Sequence, residues 1–167
     1  MLKILNIIIK IGDKIYVNLA ILCMLALIAN ITVGILARYV FRSPFVWTEE
    51  LATMLFIWVA FLAAAVAAAR KKFIVVDYFI AKIPPSMQDK IGIISNLLAM
   101  VLMVMIAVGV ILLLPRMGHL TIALRVPRTI YYIPLFMSSV LIFLVQLESL
   151  LQKIIAIVGK NKQEQVQ

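Results

Sequence analysis

Residues 97–114 read LLAMVLMVMIAVGVILLL, eighteen positions without one charged side chain. A helix with one face in water would carry polar residues at helical spacing, and this stretch has none. About 20 apolar residues in a helix cross the ~30 Å hydrocarbon layer of a bilayer, so the segment reads as most of a membrane span. Three further apolar stretches stand around it, giving expected spans at about 15–37, 51–69, 91–114 and 130–151. The composition agrees: 65% of the 167 residues are hydrophobic and 14% charged, and the mean hydropathy is +1.15. The expected fold is an all-α integral membrane protein with four transmembrane helices and short interfacial amphipathic segments. The first span is too long for the apolar part of a signal peptide, and Arg38 follows it where small cleavage-site residues would stand.

A formal charge of +9 would suggest nucleic acid in a soluble protein. In a membrane protein the placement of Lys and Arg on short loops matters more. Lys3, Lys10 and Lys14 precede the first span; Arg70, Lys71, Lys72, Lys82 and Lys90 fill the middle connection; Lys153, Lys160 and Lys162 follow the last. Positive segments stay in the cytoplasm, so both termini are expected inside, and residues 38–50 and 115–129 outside. Basic flanks of this kind also suit anionic membrane lipids; nucleic acid is not an expected partner.

The chain divides into a basic, amphipathic amino-terminal segment (1–14), a four-helix membrane domain (15–152) and a tail (153–167) with a disordered end from Lys160. The first segment either lies in the headgroup layer or simply begins the first span. Phe73, Ile74, Val76, Phe79, Ile80 and Ile83 recur at near-helical spacing before Pro84 and Pro85, which predicts an interfacial helix. The second outer connection, bounded by Pro115 and Pro127, is expected to be ordered and non-helical.

Catalysis needs groups that exchange protons, attack or hold metal, and the inventory is poor: one histidine, one cysteine and seven acids, mostly in loops. His119 has no second histidine for haem or zinc and reads as an exposed loop residue. Cys23 stands alone inside a span, and no P-loop motif occurs. The chain is therefore expected to be no enzyme, with no cofactor and no metal of its own. Asn30, Thr32, Ser95 and Asn96 read as hydrogen-bond partners between helices more than as substrate ligands. Glu148 reads as a carboxylate reaching the inner interface or pairing with Lys153. Two other classes stay open: an autonomous four-helix carrier acting as a homodimer, and the membrane anchor of a redox complex.

FVWTEELATMLFIW, residues 45–58, opens the second span with adjacent acids. Thr48 is the expected N-cap, with Glu49 and Glu50 in the first turn, where the helix dipole favours negative charge. Arg38 ends the first span across the hairpin and is an expected partner. Tyr39, Phe41 and Trp47 suit the aromatic belt of a membrane interface. Ala60, Ala64 and Ala68 at every fourth position, like Ala26, Asn30 and Gly34 in the first span, make smooth surfaces for close helix approach.

These residues resemble a known family. RYVF at 38–41, WTEELA at 47–52, Trp58, FLAAA at 61–65 and Arg70, then Asp77 in VVDYF, Pro84, ALRVP at 123–127, Tyr131, Tyr132 and Pro134, are similar to the small, DctQ-type membrane subunit of tripartite ATP-independent periplasmic (TRAP) transporters. The resemblance covers about residues 15–150; Ala63 replaces a common glycine, and Thr53 a frequent arginine. It implies a bacterial inner-membrane complex in which a periplasmic substrate-binding protein delivers an organic anion to a large membrane subunit. It implies too that the substrate and sodium sites belong to that larger chain, which moves as an elevator against a static small subunit. On this expectation Arg38, Trp47, Glu49, Glu50, Trp58, Ala60, Ala64 and Ala68 serve the architecture or the subunit interface, and Arg42, Arg116, Arg125 and Arg128 help dock the binding protein.

Overall fold

The computed structural model describes residues 2–43, 45–70, 85–116 and 118–164, and of residues 2, 85–90, 116 and 156–164 the backbone alone. The interfacial helix expected near Phe73–Ile83 lies outside the described residues. Among the described residues four long helices carry the fold: α1 Leu2–Tyr39, α2 Val46–Ala69, α3 Pro85–Leu113 and α4 Ile133–Glu164. Each contains a window long and apolar enough to cross a membrane. The protein is an all-helical, multi-pass membrane protein.

At about 1.5 Å per residue α2 is some 36 Å long, close to the bilayer's hydrophobic thickness, whereas α1 is nearer 57 Å. The excess of α1 is its basic start, which continues the axis of the first span without a break. The helix α4 likewise runs on to Glu164, so the tail expected to lose structure from Lys160 is helical to that point. Its Lys, Gln and Glu are good helix formers, and no proline interrupts them.

The helix α1 packs along α2, α3 packs along α4, and contacts of α4 with α2 and α1 join the two pairs. The buried stripe of α1 runs through Ile9, Cys23, Leu27, Asn30 and Ala37; that of α2 through Leu62, Ala65 and Ala68. The outward faces are as apolar as the inward ones: Ile94, Leu97, Leu98, Val101, Leu102, Met105 and Leu112 of α3 are all exposed. Water would make this face an aggregation site, while hydrocarbon solvates it at no cost.

Since lipid is as apolar as leucine, the helices are held by close packing and polar links. Asn30 Nδ2 donates to the Thr48 carbonyl (2.8 Å) between α1 and α2, and Asn96 Nδ2 to Ser149 Oγ (3.0 Å) between α3 and α4. The Tyr16 hydroxyl donates to the Met137 carbonyl (2.9 Å), tying α1 to α4. Thr32 instead bonds back to Ile28 of its own helix, and Ser95 is exposed.

Thr48 is not the N-cap. The helix α2 begins at Val46 after an extended Phe45, and the Thr48 hydroxyl donates to the Phe45 carbonyl (2.7 Å). Helix–helix contact explains the earlier start. Thr48 is buried and lies against Gly34, where an added Cβ would stand 3.3 Å from its Oγ1, while its carbonyl receives Asn30. Those bonds need Thr48 inside the first turn.

Candidate functional site

The adjacent acids part company. Glu49 turns to α1, where its Oε1 accepts from Arg38 Nη2 at 3.0 Å. The side chains are 60% (Arg38) and 73% (Glu49) exposed, and a pair so exposed contributes at most about 1 kcal/mol. Glu50 faces the opposite way, into the connection between α3 and α4. Its Oε1 accepts the backbone N–H groups of Ile122 (3.0 Å) and Ala123 (3.1 Å), and its Oε2 those of Ala123 (3.1 Å) and Leu124 (2.9 Å). Three consecutive amides thus converge on one carboxylate, an anion nest whose anion is a side chain of the protein itself.

The connection is folded so as to make that nest. A 3₁₀ turn at Leu114–Arg116 ends α3, an isolated antiparallel bridge pairs Leu120 with Pro127, and a second 3₁₀ turn at Arg128–Tyr131 leads into α4. Within it Thr121 N–H donates to the Val126 carbonyl (2.9 Å), and the buried Thr121 Oγ1 accepts from Val126 N–H (3.1 Å). Between the two 3₁₀ turns, residues 118–127 are non-helical. Further bonds fasten it to α2: the Tyr131 hydroxyl donates to the Glu50 carbonyl (3.2 Å), and Trp58 Nε1–H to the Ile130 carbonyl (3.1 Å). His119 is exposed and offers its carbonyl to Arg128 N–H (3.3 Å). Trp47 stacks on Phe45 with ring centroids 6.0 Å apart.

Between the clasped loop, α2 and the start of α4 lies an open groove of about 500 Å³, lined among others by Phe61, Arg128, Tyr131, Tyr132 and Leu135. Arg42 and Arg125 stand at loop tips with φ of 51° and 53°, the left-handed region that costs a non-glycine residue about 1–2 kcal/mol. Arg116 closes its 3₁₀ turn, and its side chain is not described. Among the alanines, Ala68 is buried, while Ala60 and Ala64 face outward with Phe56 and Ala63.

The other end of the bundle has its own fastening. Asp13 of α1 and Arg70 after α2 meet through Nε–Oδ1 (3.0 Å) and Nη2–Oδ2 (3.1 Å), the fork geometry suited to a carboxylate. Glu148 does not pair with Lys153. It is buried in α4, and its Oε1 accepts from Asn6 Nδ2 (3.0 Å) and Gln152 Nε2 (3.2 Å). The long α1 brings Asn6 alongside, a partner 142 residues away that local spacing could not reveal. No group of His, Cys, Asp and Glu able to hold a metal occurs among the described residues.

The sequence model of the tripartite ATP-independent periplasmic transporters' DctQ component matches residues 27–156. The chain belongs to the DctQ family. Among curated relatives, the sialic acid TRAP transporter small permease protein SiaQ of Vibrio cholerae is 30% identical over 91 residues, covering 54% of this chain and 50% of that protein. The sialic acid TRAP transporter permease protein SiaT of Haemophilus influenzae is 35% identical over 60 residues, covering 36% of this chain and 10% of that protein. The chain thus spans about half the length of one relative and a tenth of the other. As a DctQ protein it is a transporter component and not an enzyme. The DctQ match encloses Arg38, Glu49, Glu50, the clasped loop and Glu148; it begins after Asn6 and Asp13.

Proposed function

We propose that this chain is the small permease subunit of a TRAP transporter in a bacterial inner membrane, with both termini in the cytoplasm. It serves as a static scaffold for a large membrane subunit that carries out sodium-coupled import of an organic anion. The observation that carries this reading is a bundle tied by polar links at both ends. Arg38–Glu49, the Glu50 clasp and Trp58–Ile130 fix one end, and Asp13–Arg70 and Asn6–Glu148 the other. The buried amides Asn30 and Asn96 stand toward the two ends of the bundle, and their Nδ2 groups bond across helix contacts. The similarity to a relative named as a small permease supports the role, and the partial match to one named as a permease protein supports a large-subunit partner.

Ala60, Ala63 and Ala64 form an outward, small-residue face of α2 on which a helix of the large subunit can approach closely. Replacing Ala60 and Ala64 with Leu is expected to leave the fold of the isolated chain intact and to cut co-purification of the large subunit at least fivefold. Undiminished recovery would remove this face from the interface. Transport should require the whole assembly; uptake by liposomes containing this chain alone would favour the homodimeric carrier instead.

The outer arginines Arg42, Arg116, Arg125 and Arg128 are proposed to receive the periplasmic binding protein by complementary charge. Two of them occupy left-handed backbone that glycine would adopt more easily, so each arginine carries local strain. Arg42→Gly with Arg125→Gly deletes both guanidiniums and relieves the backbone. The pair should keep or raise thermal stability while weakening binding-protein association several-fold and flattening its salt dependence. An unchanged salt-dependent affinity would end the docking proposal.

A further inference from the structure

At the terminal end of the bundle a pocket of about 400 Å³ is lined by Lys3, Asn6, Ile7, Lys10, Glu148 and Gln152. Its chemistry is not used by the scaffold role. Glu148 is 6% exposed, and both of its hydrogen bonds named above fall on Oε1, from neutral amides. Among the described residues no Lys or Arg comes within ion-pair distance of it. A buried carboxylate without a cation is costly, the more so beside a bilayer. Lys3 and Lys10, two turns apart on α1, stand on the same pocket with their ammonium groups outside any ion pair among the described residues. The pocket thus offers an anionic hydrogen-bond acceptor, Glu148, and two exposed cations, Lys3 and Lys10.

We propose that this pocket binds the headgroup of a phospholipid carrying a primary amine. The headgroup's ammonium donates to Glu148, and its phosphate lies between Lys3 and Lys10. The surroundings agree. Lys10 is the lysine nearer the Asp13–Arg70 pair at the end of α2, and Lys3 lies two turns farther out along α1. Ile7, Ile8 and Ile11 are exposed beside Lys10 and, with the exposed Ile15, lead an acyl chain from the pocket toward the span. A lipid with phosphate alone satisfies the lysines and leaves the carboxylate unmatched; a quaternary amine brings charge but no N–H donor. The inference stands independently of the scaffold role.

The test is native mass spectrometry of the full chain released from nanodiscs holding equal amounts of phosphatidylethanolamine, phosphatidylglycerol and phosphatidylcholine. Retained phosphatidylethanolamine is expected to exceed each of the others about tenfold, the effect of one charge-assisted hydrogen bond. Glu148→Gln should bring the three lipids to near parity. Lys3→Gln with Lys10→Gln, at exposed positions that leave the bundle intact, should lower retention of phosphatidylethanolamine and phosphatidylglycerol alike several-fold. Equal retention of the three by the unaltered chain, a preference for phosphatidylglycerol, a phosphatidylethanolamine preference that survives Glu148→Gln, or retention unchanged in the lysine variant would each overturn the proposal.

Discussion

Glu50→Gln is expected to release the connection between α3 and α4 while Glu49→Gln leaves it in place. A glutamine carboxamide keeps one acceptor oxygen and aims an NH₂ group at the amides that Glu50 Oε1 and Oε2 now receive. At least one of the Ile122, Ala123 and Leu124 N–H groups then loses its partner and another meets a donor. Hydrogen exchange followed across residues 118–132 should accelerate about tenfold or more at these amides, the effect of losing a hydrogen bond to a charged acceptor. Because Tyr131 and Trp58 bond elsewhere along the same contact, the start of α4 should stay protected and the change should be confined to the loop. Exchange unaltered by Glu50→Gln, or altered equally by Glu49→Gln, would show that the clasp is not what orders the loop. If the loop presents Arg125 to a binding protein, Glu50→Gln should lower docking while the assembled membrane subunits are recovered in full.

The contrast between the two acids marks how far the sequence could be read. The four spans were legible because membrane burial writes its demand into every position, as 97–114 makes plain. Arg38 and Glu49 were legible too, since a short hairpin brings its own ends together. Glu50 was not: its partners are three backbone amides some seventy residues on, and amides belong to every sequence. The left-handed backbone at Arg42 and Arg125 was equally hidden, because such positions announce themselves only when glycine or asparagine fills them. The alanines show a geometrical limit. Steps of four residues advance about 40° beyond a full turn, so Ala68 is rotated about 80° from Ala60. One seam in the sequence therefore becomes an outward face at Ala60 and Ala64 and a buried contact at Ala68.

Leu62→Ala is expected to be among the most damaging single truncations in the bundle. Leu62 is 0% exposed, on the helix that packs against both α1 and α4, one turn from the equally enclosed Ala65. In water such a change removes a favourable transfer term and leaves a cavity. Within a bilayer the transfer term is small, because a leucine freed from the bundle meets lipid as apolar as the core. What remains is lost packing: a void of roughly 60–80 Å³ at about 24 cal/mol per Å³ gives some 1.5–2 kcal/mol. Reversible unfolding in mixed micelles should register that loss for Leu62→Ala. Leu98→Ala on the outward face of α3, where the side chain is 70% exposed, should cost less than about 0.5 kcal/mol. Equal losses at the two positions would mean that the side chains are solvated alike, and the packing of α2 between its neighbours would have to be redrawn. A large loss at Leu62 alone would establish van der Waals contact at α2 as a main source of the bundle's cohesion, with the polar links at Asn30, Asn96 and Tyr16 setting its register.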